Sequence, residues 1–282
     1  MALKADAKIA DPVRQPTCSV RAQRLPGNKL ELCQLIVETP VAIVVQGTSV
    51  AVMMASPADL EDFAVGFALT EGFITSLADI VDLEVVDHEL GIEARLWLKD
   101  DKAEAFIKRR RSMAGPVGCG LCGIDSLDEA TRSIPRVDSK VSDLSADEIN
   151  SATELLRNHQ PFHDETHAAH SAGFLLPGSG IVAAREDVGR HNALDKLIGS
   201  LILEKAPIES GAIVLTSRVS VELVQKAALV GCPILIAVSA PTSLALETAQ
   251  KAGITLIAHS RGDGFTVFTH PQRLPHHEAD RT

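Results

Sequence analysis

The feature that most limits how this chain can fold is a repeating alternation that begins near residue 173. Short, unbroken Val/Ile/Leu runs take turns with longer stretches that are apolar on one side only. Gly173–Leu176, Ile181–Arg185, Ala212–Leu215, Ile234–Val238, Ile254–Ala258 and Phe265–Thr269 read as strands. Arg190–Leu203, Val219–Val230 and Leu244–Ala252 read as helices, the first carrying Ala193, Leu194, Leu197, Ile198, Leu201 and Ile202 on one face. A strand without polar alternation is buried on both sides, so the pattern predicts an α/β fold: a mainly parallel sheet with helices on both faces. Pro177-Gly178-Ser179-Gly180 predicts a hairpin between the first two strands, and Gly231 and Gly253 fall where helix ends favour positive φ.

The first half reads differently. Residues 1–20 lack periodicity and are expected to form a disordered tail. Glu31–Glu38, Val41–Val45 and Ser49–Met54 read as strands, with Gln46-Gly47 as a turn. Ser56-Pro57 opens a helix whose Leu60, Phe63, Ala64, Phe67 and Ala68 recur at helical spacing, and Gly72 ends it. Ile80–His88 and Glu93–Leu98 are strands again, so residues 21–112 are expected to form a small β-β-α-β-β domain. Residues 113–145 form a Gly- and Cys-bearing loop and linker, and residues 146–282 the larger domain, opened by a helix over Glu148–Asn158.

Composition removes several function classes. The net charge is −10 and the one dense basic cluster is Lys108–Arg111, so no basic face is available for a nucleic acid. Aromatic residues make up 3%, too few for a base-stacking platform. No run reaches the roughly 18–20 apolar residues that span a bilayer, and the first thirty residues lack an apolar signal core. The expected location is the cytoplasm, where thiols stay reduced. Five cysteines, three of them isolated (Cys18, Cys33, Cys232), do not make a disulfide framework.

The remaining two cysteines carry the sharpest chemical signal. In Gly118-Cys119-Gly120-Leu121-Cys122-Gly123 each thiol is flanked by glycine, which removes side-chain bulk and keeps the sulfur reachable. Such a pair can ligate metal, cycle as a dithiol or carry sulfane sulfur. Structural zinc closes with four ligands and a second Cys pair is missing. A thioredoxin-type pair sits where a strand enters a helix, and this pair sits in a linker. Persulfide carriage asks for an accessible thiolate on a mobile arm. Arg109–Arg111 would lower the thiol pKa or simply end a solvated helix or loop. His163, His167 and His170 suggest a metal cluster with the two Cys, or ordinary packing. His167-Ala168-Ala169 lacks the Glu of the zinc deaminase H-x-E motif, and the C-x-x-C lies on the wrong side of it.

Arg185–Lys196 packs seven charged or His residues into one strand-to-helix passage. It reads either as a site or as a solvated helix start with His191 and Asp195 paired one turn apart. Thr216–Arg218, Ser239–Ser243 and His259–Gly264 follow strand ends, which converge on one crevice in open parallel sheets. Their hydroxyls and helix N-termini suit phosphate, and the absence of G-x-x-x-x-G-K-[ST] excludes a P-loop. In the last loop Gly262 and Gly264 allow close approach, Arg261 suits phosphate and Asp263 suits guanine; a plain turn between the final strands is the alternative.

Together these segments resemble the formate dehydrogenase accessory sulfurtransferase family (FdhD-type), from Thr39-Pro40-Val41-Ala42 to Thr269–Arg273. The marks are Asp62–Phe67 with Thr70-Glu71-Gly72, the C-G-x-C-G loop, Arg185–Lys196, Glu222–Ala227 and Val238–Ser243. The resemblance implies a cytidine-deaminase-like three-layer sandwich without deaminase activity, preceded by a small α/β roll. It implies a homodimer that takes sulfur from a cysteine desulfurase and passes it to bis-molybdopterin guanine dinucleotide for the formate dehydrogenase apo-enzyme. Cys119 is then the persulfide carrier and Cys122 its partner. His259, Ser260, Arg261, Gly262, Asp263 and Gly264 contact the guanine nucleotide, for which GDP is a mimic, and no resident metal is implied. The chain departs from the family at Asp164-Glu165-Thr166, where Thr-Gly-Gly is usual, and at His259, where some relatives carry an aromatic residue. A cofactor-sheltering chaperone whose Cys pair only grips molybdenum, and a zinc-binding protein using the Cys pair and a His, are the competing readings.

Overall fold

A computed structural model describes residues 14–27, 29–112, 134–138, 142–262 and 264–275, with the side chains of residues 109–112 excepted. The chain opens on an antiparallel ribbon, β1 (Thr17–Arg24) with β2 (Lys29–Ile36), in register from Thr17↔Ile36 to Arg24↔Lys29. Part of β1 falls in the stretch expected to fray: alternating Cys18, Val20 and Ala22 give it a strand's pattern once β2 supplies a partner. β2 was expected, but the ribbon is separate from the sheet that follows.

That sheet has four strands in the order β4-β3-β6-β5: β3 (Thr39–Val45), β4 (Thr48–Ala55), β5 (Ile80–His88) and β6 (Gly91–Leu98). β3 and β6 are parallel and the other neighbours antiparallel. Gln46 and Gly47 both have positive φ (51° and 71°), as a two-residue hairpin turn requires. Along β6, Ile92, Ala94, Leu96 and Leu98 are buried and alternate with half-buried residues, so one face lies on the core. Between β4 and β5 runs α1 (Leu60–Thr70), buried over most of its surface. α2 (Asp100–Ser112) follows β6 and takes Arg109–Arg111 into its last turns.

The second sheet has six strands in the order β12-β11-β10-β9-β7-β8: β7 (His170–Leu176), β8 (Gly180–Asp187), β9 (Ala212–Leu215), β10 (Ile234–Ala237), β11 (Thr255–Arg261) and β12 (Gly264–Val267). It is mixed rather than mainly parallel. Only β9–β10 and β10–β11 are parallel pairs; β7–β8, β7–β9 and β11–β12 are antiparallel. The tight turns after β7 and β11 leave no room for a crossover and make β7–β8 and β11–β12 antiparallel, and β9, which follows β8 through a helix, pairs with β7 and so runs against it.

Strand burial alternates between two apolar clusters. Ala212, Val214, Ile234, Ile236 and Ile257 meet Ile149, Ala152 and Leu156 of α3 (Ala146–Arg157) on one face. Ile213, Leu215, Leu235, Ala237 and Leu256 face the opposite way, toward α5 (Arg190–Leu203), α6 (Val221–Leu229) and α7 (Ser243–Ala252). A short helix, α4 (Pro161–Thr166), precedes β7. The layers stack as four-stranded sheet, α1, α5 with its neighbours, six-stranded sheet, then α3, and the larger apolar cluster is continuous from the first sheet to the second.

α1 and α5 meet backbone to backbone. A Cβ at Gly66 would lie 1.8 Å from the Asp195 carbonyl oxygen, and one at Gly199 1.8 Å from that of Asp62. Only glycine permits this crossing.

Candidate functional site

Because β9, β10 and β11 are parallel, their carboxyl ends lie at one edge, together with the end of β8 and the start of β7. The loops that follow are stitched side by side. Thr216 N donates to Ser171 O (3.1 Å) and its Oγ1 accepts from Ser171 N (2.9 Å). Val219 N donates to Ala240 O (3.2 Å), Thr242 N to Val219 O (3.0 Å) and His259 N to Ser239 O (3.4 Å). Thr242 caps α7 through Ala245 N. Thr216–Arg218, Ser239–Ser243 and the His259 segment therefore share one rim.

His259, Ser260 and Arg261 end β11 and Gly264 opens β12, with Arg261↔Gly264 as the last pair of the hairpin and a register shift after Ala258. Asp263 lies outside the described residues. Arg261 and His259 are exposed; His259 sits at φ 53° with its ring edge-on to Phe268, centroids 5.7 Å apart. Ser260 does not fit the expected ligand contact: it is fully buried, and its hydroxyl donates to Ile149 O of α3 (3.3 Å). Thr153 Oγ1 donates to Ser260 O (3.0 Å) and Asn150 Nδ2 to Gly262 O (3.2 Å), so α3 grips the hairpin from behind. Sequence reasoning passed over Asn150 and Thr153, which carry no signal on a polar helix face.

The Arg185–Lys196 segment is neither a solvated helix start nor a His191–Asp195 pair. Asp187 and Lys196 are fully buried and 2.6 Å apart. Asp187 also accepts from Ser56 N (2.9 Å), Gly189 N (2.7 Å) and Asn192 Nδ2 (2.9 Å), while Lys196 donates to Ser56 O (2.9 Å). Asp195 turns inward, accepting from Lys226 Nζ (2.8 Å) and Thr70 Oγ1 (2.8 Å). Burial raises the Asp195 pKa against the lowering pull of Lys226. Arg185 donates to Asp62 Oδ2 (2.7 Å). These pairs clamp α1 and the end of β4 onto β8, α5 and α6. The signal was present: Asp195, Lys196 and Lys226 are charges set among the apolar residues of their helices.

His191 faces Ser220 Oγ (3.5 Å) and Glu222 Oε2 (4.0 Å) instead. Burial, then the charges of Arg190 and Lys226, push its pKa down to about 4, so the ring is neutral at pH 7. His170 is lowered in the same way by burial and Arg190. Glu186, its own pKa raised by burial, accepts from Phe162 N (2.7 Å) and His163 N (2.9 Å) at the start of α4. His163 and His167 stack edge-on at 5.6 Å, and His167 closes α4 at φ 54°. Among the described residues no group of three His, Cys, Asp or Glu is arranged to hold a metal ion.

Cys119 and Cys122 lie outside the described residues. Of the other cysteines, Cys232 is buried and its thiol is pushed up to about 12, which makes it inert; Cys18 is exposed and Cys33 half-buried on the ribbon. No helix among the described residues is long and apolar enough to cross a membrane.

The order of these elements and motifs can be set against known proteins. The FdhD/NarQ family model matches residues 36–275. The chain belongs to the FdhD/NarQ family. It is 51% identical over 237 residues to the sulfur carrier protein FdhD of Agrobacterium fabrum, covering 84% of this chain and 88% of that one. It is 43% identical over 272 residues to the protein of the same name in Cupriavidus necator, covering 96% and 94%. Among solved structures it resembles a putative formate dehydrogenase accessory protein from Desulfotalea psychrophila, with TM-score 0.70 and 27% identity over 92% of this chain and 98% of that one. The mixed α/β architecture of this FdhD/NarQ member is thus that of a family relative.

Proposed function

We propose that the protein is a cytoplasmic sulfurtransferase that carries sulfur from a cysteine desulfurase to bis-molybdopterin guanine dinucleotide, acting as a homodimer in the maturation of a formate dehydrogenase. The observation that carries this reading is the Gly-flanked Cys119–Cys122 pair in a chain whose family relatives are named sulfur carrier proteins. In the loading step the Cys119 thiolate attacks the terminal sulfur of the donor persulfide. An S–S bond forms, the donor's S–S bond breaks and the donor cysteine leaves as thiolate. In the release step the Cys122 thiolate attacks Cys119 sulfur, giving a Cys119–Cys122 disulfide and hydrosulfide. The dithiol supplies the two electrons that reduce sulfane sulfur to sulfide, and a cellular dithiol resets the pair.

The test is transfer from a desulfurase to the full chain, followed by mass analysis of the Cys119 peptide. We expect a gain of one sulfur on the wild type and none on Cys119→Ala, which should fold normally because a Gly-flanked side chain contributes less than about 1 kcal/mol. Loading that survives the substitution, or a variant that fails to fold, overturns the assignment.

The cofactor half of the reading rests on the rim that carries His259, Arg261, Gly262 and Gly264, with Asp263 read from the sequence as the guanine acceptor. A carboxylate there accepts from N1–H and the exocyclic amine of guanine, a pairing adenine cannot make. Calorimetry should find GDP preferred over ADP, with Asp263→Ala erasing the preference and Arg261→Ala weakening both. Equal affinity on the wild type removes this half.

A further inference from the structure

The β1–β2 ribbon precedes the part of the chain that carries the family match, meeting it only at Ile36. It is moored at its base. Arg14 donates to the Asp87 carboxylate of β5 through Nε and Nη2 (both 2.8 Å), Thr17 Oγ1 donates to Glu165 of α4 (2.8 Å), and Val37 N donates to Pro16 O (2.7 Å). Beyond that base, from Arg21 to Leu32, no described residue is fully buried. A two-stranded ribbon is marginal in water unless something covers one of its faces.

The register shows which face is bare. Arg21 lies opposite Leu32 and Gln23 opposite Leu30, and cross-strand neighbours point the same way. Val20, Ala22, Glu31 and Cys33 point the other way and are half-buried. Leu30 and Leu32 are 70% and 67% exposed, and Leu25 at the tip is 69% exposed. Covering each is worth about 1.5–3 kcal/mol, which this chain by itself leaves ungained.

The charge of the ribbon is opposite to that of the molecule. Between residues 14 and 36 stand Arg14, Arg21, Arg24 and Lys29 against Glu31 alone, in a chain of net charge −10. Arg24 and Lys29 lean on Glu31 (3.7 and 3.3 Å), while Arg21 pairs with no described residue.

β5 is the complement. It is an edge strand of the four-stranded sheet, so its outer side has no strand partner. From residue 81 to residue 90 the chain carries Asp82, Glu84, Asp87 and Glu89 and no Lys or Arg. Val81 is 59% exposed at its start and Leu90 is 90% exposed just past its end. Arg14 on Asp87 already makes, within one chain, the cation-to-β5 pairing that the rest of the ribbon is composed to make.

We propose that the ribbon is a dimerisation arm: its Leu25, Leu30 and Leu32 face, with Arg21 and its neighbouring cations, docks on the acidic β5 edge of a second copy, whose own ribbon docks likewise on this one. Two copies that each carry excess negative charge repel except where a cationic surface meets an acidic one, and the ribbon and β5 supply both. Area favours a second copy over a different partner. A stable interface takes roughly 800 Å² and 20–30 residues from each side, and a ribbon tip of about ten residues supplies roughly half of that. Two-fold symmetry uses the contact twice, so each copy gives a ribbon and receives one. The inference deepens only the homodimer of the proposed function; the sulfur chemistry does not depend on it.

The test is sedimentation equilibrium of the full chain across about 1–100 µM. The wild type should be a dimer. Leu30→Asn with Leu32→Asn should raise the dimer dissociation constant by about tenfold or more, with far-UV circular dichroism unchanged. Two charge variants should each dissociate: Arg21→Glu with Arg24→Glu on the ribbon, and Asp82→Lys with Glu89→Lys beside β5. Mixed in equal amounts, these two should pair with each other, because each reversed ribbon then meets a reversed β5 and each native ribbon a native one. A variant that had merely lost its fold would not be rescued by mixing. A wild-type dimer that none of the substitutions weakens, or charge variants that stay apart on mixing, overturns the arm and leaves the homodimer standing. A wild type that is monomeric throughout removes both. Capture of that monomer by phosphatidylserine vesicles, lost with Leu30→Asn and Leu32→Asn, would assign the ribbon to a lipid surface and likewise overturn the arm.

Discussion

Lys196 and Asp187 illustrate how much a single residue can decide here. Both are fully enclosed, so each depends on the other to stay charged without water. Lys196→Ala leaves the Asp187 carboxylate buried and unpaired, and should cost about 3–5 kcal/mol, read as a lower urea midpoint at unchanged slope. A loss of under about 1 kcal/mol would place water or another cation in the gap. In the proposed sulfur transfer Cys122 acts at the same scale, through chemistry rather than stability. Cys122→Ala should still load the Cys119 persulfide but release sulfur more slowly, a smaller loss of transfer than Cys119→Ala causes. Release at the wild-type rate would confine the chemistry to Cys119.

At the scale of elements, the α1–α5 crossing sets the position of everything polar around it. Gly66 and Gly199 let the backbones touch, and that contact brings Asp62 to Arg185 and Thr70 to Asp195 and Lys226. Gly199→Ala must push α1 away from α5, with an overpacking cost of about 1–3 kcal/mol or more. The same shift should uncouple the Asp195–Lys226 pair, so Gly199→Ala and Lys226→Met should be less than additive in a double-mutant cycle. Additive losses would show that the crossing and the ion pair are independent. The β11–β12 hairpin is placed by another element: Asn150 and Thr153 of α3 hold its carbonyls and Ile149 holds Ser260.

For the molecule as a whole, pH dependence follows from which groups are buried uncharged. The His191 pKa falls from 6.5 to about 4 on folding. Below 6.5 the unfolded chain takes up a proton that the folded chain refuses, so stability is present above that value and is lost as pH falls toward about 4. His170 acts in the same direction, while the raised Asp62, Glu186 and Asp195 oppose it. Comparing urea unfolding of wild type and His191→Asn isolates the His191 share. The variant should lose less stability than the wild type between about pH 7 and about pH 5. Equal losses would mean that His191 titrates alike in both states.

The sequence by itself determined most of the strands, the long helices of the second half and the family. Unbroken Val/Ile/Leu runs, helical apolar spacing and Gln46-Gly47 act through local sterics and through burial on one or both faces, and those forces are written into neighbouring residues. It also marked Cys119–Cys122, because glycine on both sides of a thiol is a local statement. Only the tertiary structure decided which strands run parallel, that Thr17–Arg24 becomes a strand, and that the charges of Arg185–Lys196 point inward. Partners for Asp187, Asp195 and Arg185 come from Ser56, Lys226 and Asp62, residues 31 to 131 positions away. A charge's stability depends on what desolvates and pairs it, and over such separations that is a property of packing, not of spacing along the chain.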